Sequence, residues 1–296
     1  MENKPIDQRV PIILGDLVLP GFNLDILTED STKARLIKDW GKYVLLFKTI
    51  ETDIGLGRSL SGPGQKRVDK LLEDERFHKI TKSLTKVIRW SRFIDKAGHG
   101  DQIRQHNVLQ HTYSATYFAH WLAKRLQWPA EDVALLISAF ECHDWGEGLL
   151  RRDIASTDKE TIHDLEECQA VDHYLYSNSL SEKQADKIMR AFMLQFAIQN
   201  GQAQLKFSWR AQQQLDKIVD KQEVAWLFYF LERFGYLIYA LEQYVDYDYH
   251  YMLADVLYNC LLDIKNAIAH VPGLATVLMR PHKVQYLGEV YTQLLS

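Results

Sequence analysis

The chain has 296 residues, 47% hydrophobic and 11% aromatic, enough apolar material for one large core or two smaller ones. A net charge of −4, with 25% of residues charged, gives no overall attraction to nucleic acid or to an anionic membrane, and neither is an expected partner. Cys142, Cys168 and Cys260 lie far apart with no CxxC pair, which argues against a disulfide framework or a thiolate zinc site and fits a reducing, cytoplasmic setting.

The opening residues, MENKPIDQRV, show no apolar signal segment behind a basic start. Residues 10 to 21 mix proline, glycine and β-branched side chains and read as extended chain with turns, or a short strand pair. Ser31 or Thr32 is set to cap a helix to about Thr52, with Leu36, Trp40, Val44 and Phe47 on one side. The Gly-rich basic loop from Gly55 to Arg67 matches neither GxxxxGK[ST] nor GxGxxG, and reads as a connector rather than a phosphate cradle. From Gly55 to Lys96 eleven Lys/Arg face five acids, a local basic excess suited to a solvated helix face or to an anionic substrate.

Beyond residue 66 the apolar spacing is helical nearly to the end. Gln105 or Asn107 opens a helix to about Leu126 with His111 one turn before Ala115, on the same inner side. Pro129 starts the next helix, where Val133, Leu136, Phe140 and His143 form one face, so an apolar stripe ends at the doublet His143-Asp144. Glu147 follows His143 by one turn. Further helices are expected over 158–176, 181–199, 223–246, 251–269 and 282–295, with a polar, Gln-rich and exposed stretch over 202–216. The helix at 223–246 is the most aromatic, and is a poor membrane span because Glu232-Arg233 interrupts it. A carboxylate in such apolar surroundings needs a partner: a metal, another buried charge, or a narrow wet stripe. The fold class expected is all-α with a short irregular or β-like N-terminal extension. The divisions are residues 1–70 as extension, 71–250 as the main helical domain, to which the resemblance described next assigns metal binding, and 251–296 as C-terminal helices packed on it.

A His, a later His-Asp doublet and a distant acid on helices resemble the HD-domain metal phosphohydrolases. The segment Asn107-Val108-Leu109-Gln110-His111-Thr112, the Glu three residues after Asp144, and Arg152-Asp153-Ile154 are most similar to the bacterial HD-domain 5′-deoxynucleotidases. That resemblance implies a helical HD bundle and one divalent transition metal (Mn, Co, Fe, Ni or Zn) held by His111, His143, Asp144 and a distant acid. The family has Asp at the last position; here the register gives Glu232, with Asp246, Asp248 and Asp255 in reserve. It implies Glu147 as general acid or base, and Asp144 as a ligand that also orients the nucleophile. Arg89, followed by Trp90, matches the family's substrate-contacting Arg-Trp pair but lies further from His111. Lys96 matches by spacing alone, and Arg92 lies between them. Asp153 is implied as a sugar contact, beside a plain helix-cap reading.

The implied activity is hydrolysis of a phosphate ester of a small-molecule nucleotide, foremost a (deoxy)nucleoside 5′-monophosphate, with a homodimer as one option for the assembly. A nucleoside polyphosphate hydrolase and a non-catalytic nucleotide-binding module are the alternatives. Di-iron oxygenase chemistry ranks last, because no second ligand set surrounds the doublet.

Overall fold

The structure is a computed structural model that describes residues 12–14, 17–19, 21–55, 75, 77–90, 93, 103–152, 154, 159–178, 180–198 and 206–296. Residues 12–19 form a two-stranded antiparallel hairpin, β1 (Ile12–Leu14) and β2 (Leu17–Leu19), paired Ile12 with Leu19 and Leu14 with Leu17. The rest of the described regular structure is helical, so the protein is an all-α bundle apart from this hairpin. The helices are α1 (Asp25–Thr28), α2 (Asp30–Gly55), α3 (His78–Leu84), α4 (Val108–Arg125), α5 (Ala130–Cys142), α6 (Trp145–Leu150), α7 (Thr161–Ser177) and α8 (Glu182–Phe192). After a 3₁₀ turn at Met193–Phe196 follow α9 (Trp209–Asp216), α10 (Gln222–Tyr247), α11 (His250–His270), α12 (Gly273–Val277) and α13 (Pro281–Leu294). The Gly-rich loop at 56–67, Arg92, Lys96 and Asp153 lie outside the described residues.

The centre is α10. It packs against α2, α4, α5, α11 and the 3₁₀ turn, and is buried along most of its length. It is long and apolar enough to cross a bilayer, but 72% of its most apolar window is buried inside this fold, where packing consumes its apolar surface. One hydrophobic cluster runs from Ile26 to Leu294, so helices of the expected extension, the middle and the C-terminus share a core. Leu36, Trp40, Val44 and Phe47 of α2 all face it. Phe118 stacks on Phe234 and Trp121, fixing α4 against α10. The Gln-rich stretch is less exposed than its composition suggests: Gln214 of α9 is fully buried and accepts from Arg190 of α8 at 3.2 and 3.3 Å. The buried amide oxygen has an ionic donor, which is why a polar side chain is tolerated there.

Candidate metal centre

Local sequence chemistry aims His111 inward. Asn107 caps α4 in a reciprocal capping box with Gln110: each side chain accepts from the other's backbone N–H. This fixes the first turn of α4, on which His111 sits buried. The His143-Asp144 doublet is the junction of two helices. His143 ends α5, donating its backbone N–H to Ala139, and Asp144 begins α6, accepting from the N–H of Gly148. The helix is interrupted at this junction, where Asp144 leaves helical geometry at φ −89° and ψ 8°, and both side chains are buried. Gly146 is required at the contact with α7: a β-carbon there would stand 2.4 Å from Cβ of Glu167. Arg151 ends α6 in the left-handed region at φ 56°.

These elements bring together His111, His143 and Asp144, whose ligand atoms all lie within 4.8 Å of one another. Glu232, from the middle of α10, joins them: its Oε1 is 3.2 Å from Nε2 of His111 and 3.3 Å from Nε2 of His143. Oδ1 of Asp144 is 3.1 Å from the same His143 nitrogen. Of the reserve acids, Asp246 pairs with Lys48, Asp248 with Lys33, and buried Asp255 accepts from Asn259. Phe140 and Phe228 wall His143 edge-on, each with its ring 5.5 Å away.

The donor set fits a divalent ion. His143 Nδ1 is 3.0 Å from the carbonyl of Phe140, which only accepts, so Nδ1 carries a proton. Nε2 therefore faces two carboxylates and has no well-aligned hydrogen bond. Without a cation its lone pair would confront two anionic oxygens. Either Nε2 is protonated or a metal stands there. Burial pushes the His143 imidazolium down, but Asp144 and Glu232 outweigh it and hold the group well above the ordinary histidine range. Burial likewise opposes ionisation of Glu232 and Asp144. The imidazoles overcome it, helped for Asp144 by Arg89, and both acids sit below the usual carboxylate range.

Arg89 is buried, with Nη1 3.3 Å from Oδ2 of Asp144 and its guanidinium over the Tyr236 ring at 5.5 Å. Glu147 is buried one turn beyond Asp144. Near it, Lys159 is held by Glu167 at 2.8 Å and Asp164 at 3.2 Å, and the negative charge of Glu147 adds to theirs. Burial opposes the Lys159 charge, but these acids keep it protonated far above neutrality.

Sequence reasoning missed Glu51, Arg104 and Glu242, which form a buried ionic bridge behind His111. The signal was available for Glu242: it is a second carboxylate in the apolar α10, and the need for a partner applies to it as to Glu232. His106 is buried against Tyr239 with ring centres 4.5 Å apart. Burial first, then the charges of Arg104 and Arg89, keep it neutral.

Comparison with family models, curated proteins and solved structures returned no match. What the site does is therefore argued from its own donors and geometry.

Proposed function

We propose that the protein is a metal-dependent phosphohydrolase of the HD type, acting on a small nucleotide, foremost a (deoxy)nucleoside 5′-monophosphate. The observation that carries this reading is the single oxygen of Glu232 between two buried imidazole nitrogens, with Asp144 completing the set. Two nitrogens and two carboxylates suit Mn, Co, Fe, Ni or Zn better than an all-oxygen magnesium cage. His111, His143, Asp144 and Glu232 would hold the ion, which when bound polarises a phosphoryl oxygen and a water.

The remaining work falls to the chain. Arg89 is a permanent cation beside the metal ligands, 3.3 Å from Asp144, and its charge would offset that of a phosphate. Glu147, one turn beyond Asp144, would move a proton, and the Lys159–Glu167 pair lies in its electrostatic reach. Phe140, Phe228 and the burial of every ligand limit water around the reacting groups.

The test is elemental analysis of the purified protein, joined to a phosphate-release screen over nucleoside mono- and triphosphates with added Mn²⁺ and Co²⁺. The reading expects one bound transition metal, release of inorganic phosphate from monophosphates, and loss of both in His143→Ala. Triphosphate release would move the substrate to nucleoside polyphosphates. Turnover retained by a metal-free His143→Ala protein would overturn the reading, and tight nucleotide binding without turnover would make the chain a binding module.

A further inference from the structure

Arg104 is held on two sides. One Nη donates to Oε2 of Glu51 at 2.6 Å and to Oε2 of Glu242 at 2.7 Å, and Nε donates to the other oxygen of Glu242. Glu51 and Glu242 are almost fully buried. Desolvating three charges in this way contributes little net stability compared with an apolar core of the same shape. Such a bridge is better explained by the geometry that it fixes.

Two things are fixed. The first is the strap from Ile103 to Asn107. Its Arg104 N–H donates to Gln243 at 3.0 Å, and its Arg104 carbonyl accepts from the hydroxyl of Tyr239. The strap then pairs with the segment carrying Arg89: the Arg89 N–H donates to the His106 carbonyl at 3.1 Å, and the Val108 N–H to the Val87 carbonyl at 2.9 Å. Trp90, next to Arg89, takes the left-handed region at φ 65°, costly for so bulky a residue. Its ring is stacked on that same Tyr239, with centres 5.0 Å apart. Arg104 thus reaches Arg89 by two routes, one through the backbone and one through Tyr239 and Trp90. The second thing fixed is the first turn of α4. Glu51 grips it on both sides of His111: Gln110 donates to the Glu51 carbonyl and Ser114 to the Glu51 carboxylate, each at 2.8 Å.

We infer that Glu51 and Arg104 are positioning residues: their buried bridge to Glu242 sets where Arg89 stands relative to Asp144, and hence how tightly the site holds a phosphate. This rests on the reading of Arg89 as the phosphate-binding cation. It also gives α2, remote in sequence from every metal ligand, a part in substrate binding.

The test is calorimetric titration of inorganic phosphate into the Co²⁺-loaded full chain, for the wild type, Arg104→Lys, Glu51→Gln, Arg89→Met and the double variant Arg89→Met/Arg104→Lys. Lysine keeps the charge of Arg104 but not the fork that spans two carboxylates. Arg104→Lys should weaken phosphate binding by about tenfold with cobalt stoichiometry unchanged, and Glu51→Gln should do so in the same direction. In the double variant the Arg104 change should add nothing, because the residue through which it acts is gone. Wild-type affinity in a folded Arg104→Lys or Glu51→Gln protein overturns the inference, as does a full additional loss in the double variant. Glu51→Gln keeps the side-chain shape and decides the matter if Arg104→Lys does not fold. A wild-type protein that takes cobalt but no phosphate overturns both this inference and the assignment of Arg89. One that takes neither overturns the functional reading itself.

Discussion

Glu232→Gln is the most informative single change, because it removes one charge from a buried cluster and leaves the shape. Glu232 stands 3.2 Å from His111 and 3.3 Å from His143. Removing one member of a buried ion pair costs about 3–5 kcal/mol, since the partner's charge stays behind. Asp144 remains 3.1 Å from His143, so the low end, about 3 kcal/mol, is expected, a fall in melting temperature on the order of 6–10 °C for a chain of this size. The cost depends on pH in a definite sense. The folded pKa of His143 is raised, so its contribution is complete below the ordinary histidine value of about 6.5 and is lost as pH rises through the folded value. The folded pKa of Glu232 is depressed, so its contribution is present above about 4.3 and is lost as pH falls through the folded value. The full penalty therefore appears between about pH 4.5 and 6.5 and shrinks at higher pH, where a neutral His143 no longer needs the carboxylate. Urea unfolding of chelator-treated wild type and variant, at pH 6 and at stepwise higher pH, measures it. Added Co²⁺ at a hundredfold excess over its Kd should stabilise the wild type by about 2.7 kcal/mol and the variant by less. A variant as stable as the wild type at pH 6, or a deficit that grows with pH, would refute the contact between Glu232 and the imidazoles.

Three further outcomes are expected. Glu147→Gln should keep the metal, by elemental analysis, while kcat for phosphate release falls by about 10²–10⁴, the usual worth of a proton-transfer group. Gly146→Ala should destabilise the protein by about 1–3 kcal/mol in urea, because the new methyl would stand 2.4 Å from Cβ of Glu167 and neither helix can yield by rotating a side chain. Arg151→Gly should raise the melting temperature by a few degrees, since it relieves about 1 kcal/mol of left-handed strain at the end of α6. An unchanged or lower melting temperature would show that the Arg151 side chain contributes more than its backbone costs.

Much of the site was legible in the sequence for local reasons. His111 follows a cap that can be read from Asn107 and Gln110, and His143 ends an apolar stripe whose period is helical. Glu232 stood out because a carboxylate among aromatic residues must be paired. The partner of Arg89 was not legible, because Asp144 is 55 residues away and no local pattern encodes that distance. Lys159 was not legible either: its three carboxylates come from α6 and α7, helices joined by the close approach of Gly146 to Glu167 and by the edge contact of Trp145 with Tyr174.

By itself, then, the sequence determined the all-α class and the inner faces of the helices, and it placed His111 and His143 on those faces, since periodicity and capping act within a few residues. The register favoured Glu232, and the tertiary structure sets it, rather than the reserve acids Asp246, Asp248 and Asp255, against the imidazoles. The tertiary structure also decided that Glu51 of α2 backs the turn carrying His111. The physical reason is that a buried charge advertises its need for a partner but not the partner's identity. That is settled by which helices the common core presses together around α10.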